Sequence, residues 1–393
     1  MTQHSGSPFT PGYGKKPLVF GGHETDLAEL RAVFTTMDFG ENHSVLVSGL
    51  RGAGKTSFLA ELEDAAYEAG WIVISDNASA GLMDRLMDTT IPAEINRLAP
   101  RAGVRLAGLG VWQLNAQFEY VDRQREVKPQ LRRDLVALSR ALAGDAGILI
   151  TIDEVSSGKV RLRELSKIAL EVSHALKDGA NVMVVFAGIQ VSLEDLLEQE
   201  HTTFLRRSRE VQFQRLSAPT TAQVLTDTAA IGGRTFEPAG LTLLVSISQG
   251  YPYLVQLAGD YAWRNNPEAP TITEADAESA HARAVQAIES RVISRVYSDL
   301  SEKDREFLHA MAQDDDRSKI ADIVVRMGQS DQYVQVYKNR LIKTGYVQSA
   351  GHGYVEFSLP YLGAYVRRQL AGDGDDQPRS DDGWDEYPAP PLP

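Results

Sequence analysis

Residues Gly49 to Thr56 read Gly-Leu-Arg-Gly-Ala-Gly-Lys-Thr, residue types in an order suited to wrapping the phosphates of a nucleoside triphosphate in backbone N–H groups. Such a wrap needs the chain closer to the anion than a Cβ permits, and Gly49, Gly52 and Gly54 leave that room. Ala53 and Ser57 complete the set of cofactor-binding positions. Lys55 places an ammonium on the β- and γ-phosphates, Thr56 offers a hydroxyl to Mg2+, and a helix starting near Lys55 aims its positive end at the bound anion. A second constellation is Ile148-Leu-Ile-Thr-Ile-Asp153-Glu154, an apolar strand ending in two carboxylates. At a strand end beside a phosphate loop, Asp153 holds Mg2+, and Glu154 orients and deprotonates the attacking water. Taken alone, the Asp-Glu pair reads equally as the opening of a solvated loop. The glycine loop gives it a catalytic reading.

These groups need a scaffold, and the surrounding pattern supplies one. Short β-rich runs at Val45–Ser48, Trp71–Ser75, Ile148–Ile152 and Val182–Ala187 alternate with amphipathic stretches, which predicts an α/β core with a parallel sheet and helices on both faces. From Pro219 to about Tyr297 strand signals fade, and helical periodicity in Leu241–Ile247 and Tyr253–Ala258 predicts an α-helical lid. Residues 298–370 read as three helices (Glu302–Ala312, Lys319–Met327 and Asp331–Thr344) and a strand pair around Gly351-His-Gly353, the pattern of a winged helix. The expected organisation is a flexible leader over 1–17, a phosphate-loop core over 18–217, a lid over 218–297, the winged helix over 298–370 and an acidic, proline-rich, disordered tail over 371–393. Within the core, Val104–Phe118 reads as an inserted hairpin with a glycine turn at Gly108–Gly110.

Composition sets outer bounds. With 43% hydrophobic and 24% charged residues, the chain reads as an ordinary globular protein. Of its formal charge of −13, a large share sits in the tail, where Asp373, Asp375, Asp376, Asp381, Asp382, Asp385 and Glu386 face only Arg379. The body is mildly acidic and exerts no global attraction on nucleic acid or an anionic membrane. The absence of cysteine excludes disulfides and thiolate chemistry. No apolar stretch approaches the roughly 18 residues of a membrane span, and the polar start has no signal-peptide core, so the expected location is the cytoplasm.

The motifs, in this order, resemble those of AAA+-type ATPases, in the branch that joins origin-recognition initiators to the STAND signalling ATPases. The resemblance covers about Leu18 to Leu370 and implies ATP as the nucleotide, with Mg2+. Phe20-Gly-Gly-His-Glu24 followed by Leu27 is similar to that branch's N-terminal box, whose loop lies against the adenine. The resemblance therefore assigns Phe20 and Gly22 to the nucleotide, although His23 stands where the box has arginine. Gly188-Ile-Gln190 matches the first sensor, which makes Gln190 the polar group facing the γ-phosphate. Phe204-Leu-Arg206-Arg207-Ser-Arg209 occupies the place of the arginine finger, with Arg206 favoured over Arg207. Gln249-Gly-Tyr-Pro252 resembles the turn by which the lid closes over the base or ribose; as helix punctuation alone, glycine and proline at this spacing are equally well explained.

What the nucleotide controls has two readings. In the first, the helix over Asp331–Thr344 carries Gln332, Tyr333, Gln335, Lys338, Asn339, Arg340 and Lys343 to duplex DNA, with Tyr346, His352 and Tyr354 on the wing. In the second, a STAND-like switch with slow or no turnover uses the winged helix on a protein partner or on its own core, and assembles into a homo-oligomer. Between Tyr297 and Leu370 ten acidic residues balance ten basic ones, a neutrality that weakens the DNA reading.

Overall fold

The computed structural model describes residues 6–12, 15–97, 130–142 and 144–372. The expected hairpin at Val104–Phe118 and the acidic tail lie outside the described residues. By their contacts the residues divide into two units, Met1–Ala284 with Lys343–Gly345, and Val285–Ile342 with Tyr346–Pro393.

In the first unit, β1 (Ser44–Gly49), β2 (Ile72–Asn77), β3 (Ile148–Val155), β4 (Val182–Gly188) and β5 (Arg209–Phe213) form one sheet in the order β2-β3-β4-β1-β5, with every pairing parallel. Parallel strands need crossovers, and the helices that make them cover both faces. The period of two in β4 sorts the layers. Val182, Val184 and Phe186 join the core under α4 (Leu131–Ala141), α5 (Lys159–Lys177) and α6 (Gln190–Leu197), whereas Met183, Val185 and Ala187 join the opposite core under α1 (Glu24–Thr36) and α2 (Lys55–Glu68). A short α3 (Leu82–Arg85) follows β2. Phosphate loop and paired carboxylates both follow the carboxyl ends of strands, where open parallel sheets place their ligand crevice.

The rest of this unit is helical: α7 (Ala218–Ile231), α8 (Pro238–Ser248), α9 (Pro252–Asn265) and α10 (Glu274–Ile288). Proline in the first turn starts α7, α8 and α9, since its missing N–H falls among donors that have no partner inside the helix. Two two-residue strands, β6 (Thr235–Phe236) and β7 (Thr271–Ile272), pair in parallel here. They are too short to leave a periodic signal in the sequence.

The leader differs from expectation. Phe9 is 2% exposed, packs edge-on against Trp263 of α9 at 6.3 Å between ring centroids, and lies so close to Gly259 that a Cβ there would fall 2.5 Å from its ring. The Thr10 N–H donates to Gln256 Oε1 at 3.0 Å. Burying an aromatic ring outweighs the proline and glycine around it. Phe9→Ala is therefore expected to lower stability by about 3 kcal/mol, measured by urea unfolding.

The second unit contains α11 (Ser294–Asp299), α12 (Glu302–Met311), β8 (Arg317–Lys319), α13 (Ile320–Met327), α14 (Asp331–Lys343), β9 (Val347–Ser349), β10 (Tyr354–Phe357) and α15 (Leu362–Ala371). Ser301 and Asp304 close a capping box at the start of α12. Gly328, at φ 60°, ends α13 in the left-handed region. The strands pair antiparallel in the order β8-β10-β9. Two elements go beyond the sequence reading: Arg317–Lys319 joins the sheet as a third strand, and α15 closes the unit, burying Leu362 and Val366.

Candidate functional site

The site is assembled where β1 runs into α2. Gly49, Gly52 and Gly54 have φ of 157°, 74° and 102°, and Gly49 and Gly54 lie against Phe213 at the end of β5, where a Cβ on Gly49 would approach the Phe213 Cβ to 2.6 Å. Glycine is thus required here by backbone angle and by packing. Ala53 is buried and Ser57 half-buried, while Gly52 stays open. The Lys55 ammonium donates to the carbonyl oxygens of Gly49 and Leu50 at 2.9 and 2.8 Å. Burial lowers its pKa from 10.5 to about 8; nearby Asp153 and Glu154 oppose that shift and Arg51 adds to it.

Thr56 and Asp153, ninety-seven positions apart, meet directly: Thr56 Oγ1 donates to Asp153 Oδ2 at 2.6 Å. A hydroxyl and a carboxylate so paired suit Mg2+, which takes one or two protein oxygens and completes its shell with phosphate oxygens and water. Among the described residues no group of three or more His, Asp or Glu side chains is arranged to hold a metal.

Glu154 follows in a strained conformation. β3 advances from Ile152 to Val155 while β4 advances only from Phe186 to Gly188, so β3 carries one residue more than its partner, a β-bulge. Glu154 takes φ 56°, which is unfavourable for a side-chain-bearing residue and persists where surrounding structure enforces it. Asp153 Oδ1 accepts from the Glu154 N–H at 2.7 Å, and Ala78 N–H donates to the Asp153 carbonyl at 2.8 Å. The Glu154 carboxylate is left exposed.

The positions drawn from resemblance are less tightly gathered. Phe20 packs on Phe58 of α2, with centroids 6.2 Å apart, and Gly22 N–H donates to Glu24 Oε1 at 2.6 Å. His23, also at positive φ, stacks on Phe213 at 4.1 Å and contacts Asp26. A Cβ on Gly21 would collide with Val224 of α7 at 2.3 Å, and one on Gly22 would lie 2.8 Å from Leu216, so this segment runs against α7 and the residues just before it. Gln190 begins α6 and donates to Glu194 of the same helix at 3.0 Å. The Arg206 guanidinium is exposed, reaching the Leu197 carbonyl at 3.4 Å. Arg209, by contrast, is held in ion pairs with Asp26 and Glu29 at 2.7 and 2.5 Å, which leaves Arg206 and Arg207 as the exposed members of the basic run.

One participant escaped the sequence. Pro252 begins α9 as expected, and the residue before it, Tyr251, reaches the phosphate loop, donating its hydroxyl to the Arg51 carbonyl. Nothing in the residues marks Tyr251 above its neighbour Tyr253, because the contact joins segments 200 positions apart.

In comparisons with known proteins, residues 290–366 match a family described as a domain of unknown function (DUF8462). No curated protein matches significantly. Among solved structures the chain is similar to the Walker-type ATPase PABY2304 of Pyrococcus abyssi, at 15% identity and TM-score 0.63, covering 88% of this chain and 96% of that one. It is similar also to the ORC2 protein of Aeropyrum pernix, solved in ADPNP-ADP complexes, at 12% identity and TM-score 0.58, covering 92% and 97%. The parallel sheet, its strand order and these likenesses together give the chain the fold shared by that Walker-type ATPase and the ORC2 protein.

Proposed function

We propose that the chain binds ATP with Mg2+ and hydrolyses it in the cytoplasm, and that its nucleotide state controls a winged helix over residues 298–370 that contacts duplex DNA. The observation that carries the ATPase part is the Thr56–Asp153 hydrogen bond, which brings the two motifs to one point beside Lys55. In this reading the loop amides and Lys55 neutralise the phosphates, and Thr56 and Asp153 hold Mg2+, which when bound adds further charge compensation. Glu154 takes the proton of the attacking water. Arg206 stabilises charge developing on the transferred group, Gln190 senses that group, and Phe20, Gly22 and Pro252 enclose the base and ribose.

For the DNA part, α14 exposes Gln332, Asn339 and Arg340, and the Tyr333 and Tyr337 rings pack at a tilt with centroids 4.9 Å apart. Arg340 also pairs with Asp304 at 3.1 Å, which draws on one of the few cations available. A second reading has its own support. Val325 on α13 and Val336 on α14 are 78% and 62% exposed, and apolar side chains on a helical unit of balanced charge suit a protein partner better than phosphates.

Duplex DNA titrated at two salt concentrations, with and without ATP, separates the two. DNA control predicts an affinity that weakens steeply with salt and changes with ATP. No binding even at low salt would remove DNA and leave the partner reading, for which light scattering should then detect ATP-dependent oligomers. A protein monomeric throughout would remove that reading in turn.

A further inference from the structure

After α8, Gln249 and Gly250 turn through the left-handed region, with φ of 46° and 70°, and the chain enters α9 as Tyr251-Pro-Tyr253. The turn is anchored to the end of the core. Leu216 N–H donates to the Gly250 carbonyl at 2.7 Å, and a Cβ on Gly250 would fall 2.1 Å from the Leu216 carbonyl oxygen. Tyr251, 2% exposed, is thereby delivered to the phosphate loop, where its hydroxyl donates to the Arg51 carbonyl. Gly52 receives the edge of the ring: a Cβ there would lie 2.6 Å from Tyr251 Oη and 3.3 Å from Tyr253 Cβ. Burial pushes the ionisation of the Tyr251 hydroxyl upward, so the group remains a donor at any working pH.

This contact acts on a single peptide unit. In a planar trans peptide, the carbonyl of Arg51 and the N–H of Gly52 point in opposite directions. Holding the carbonyl on the Tyr251 side therefore sends the N–H to the other. Gly52, at φ 74° and without a side chain, has the conformational range to turn this unit over if it is not held. We propose that Tyr251 is a positioning residue for the triphosphate, fixing the Arg51–Gly52 peptide so that the Gly52 N–H faces the phosphates. The inference rests on the reading of Gly49–Thr56 as a triphosphate site, and assigns to the lid turn a task on the phosphates distinct from that of Pro252 at the base or ribose.

The test titrates the full chain, Tyr251→Phe, Tyr251→Met and Lys55→Ala with Mg-ATP by calorimetry, and melts each without nucleotide. Both Tyr251 variants lack the donor while keeping an apolar side chain in place. They are expected to bind Mg-ATP about fivefold more weakly, the fold-change of one ordinary hydrogen bond, and to raise KM by that factor with kcat nearly unchanged. Restored affinity is expected nowhere but in the wild-type residue. Wild-type affinity in both Tyr251 variants, with binding lost in Lys55→Ala, would overturn the positioning role while leaving the triphosphate site intact. A lowered melting temperature with unaltered affinity would overturn it equally, since that is the signature of packing alone. Failure of the unaltered chain to bind Mg-ATP would overturn the triphosphate reading, and this inference with it.

Discussion

Lys55→Ala should lower ATP affinity about 100-fold, the loss expected when a charged donor to phosphate is removed from a partly desolvated site. In the protein its ammonium is satisfied by two loop carbonyls and held near a carboxylate pair, yet burial still keeps its pKa down at about 8. That depression has a calculable sign. Between pH 8 and 10.5 the unfolded chain keeps the Lys55 proton while the folded chain releases it, so folding is favoured increasingly as pH rises through this window. Below pH 8 both states are protonated, and the fold carries the whole desolvation penalty, on the order of 3 kcal/mol. Urea unfolding of the protein without nucleotide should show stability contributed by this group rising from pH 8 to 10, and Lys55→Met should abolish the rise. ATP affinity should run the other way. A bound triphosphate prefers the ammonium, so binding should hold steady below pH 8 and weaken above it; an affinity flat to pH 10 would contradict the role given to Lys55.

Glu154→Gln should reduce ATP turnover by about 10²–10⁴-fold, the range for loss of a general base, with ATP affinity within about twofold of wild type. The separation follows from the geometry. Glu154 makes no hydrogen bond with the loop or with Thr56, whereas Asp153 does both the bonding to Thr56 and the support of the Glu154 N–H. Single-turnover hydrolysis alongside equilibrium binding measures the two quantities independently, and turnover at the wild-type rate would remove Glu154 as the base.

How much of this was visible in the residues depends on range. Gly49–Thr56 and Ile148–Glu154 could be read because each carries its chemistry within eight positions, and glycine and alternating apolar residues leave marks that local physics explains. The first four strands of the sheet follow for the same reason, with ends shifted by one to three residues: Trp71–Ser75 in the sequence reading becomes Ile72–Asn77, and Ile148–Ile152 becomes Ile148–Val155. Phe9 could not be read, since its partner Trp263 lies on a helix more than 250 positions later and the proline-rich segment around Phe9 has no periodicity. Tyr251 was hidden similarly. Its neighbours Gly250 and Pro252 announce a turn, but which tyrosine faces the loop is decided by the anchoring of Gly250 on Leu216. Arg317–Lys319 left no strand signal, because three residues are too few to alternate visibly, and Lys319 was read as the start of the following helix.

The extra residue in β3 has a consequence for symmetry. In an uninterrupted strand two consecutive side chains fall on opposite faces, which directs adjacent carboxylates to opposite sides of the sheet. The left-handed turn at Glu154 interrupts that alternation, and both carboxylates oppose the burial that lowers the Lys55 pKa. The residues proposed as metal ligand and base stand next to one another where the strand carries one residue more than its partner.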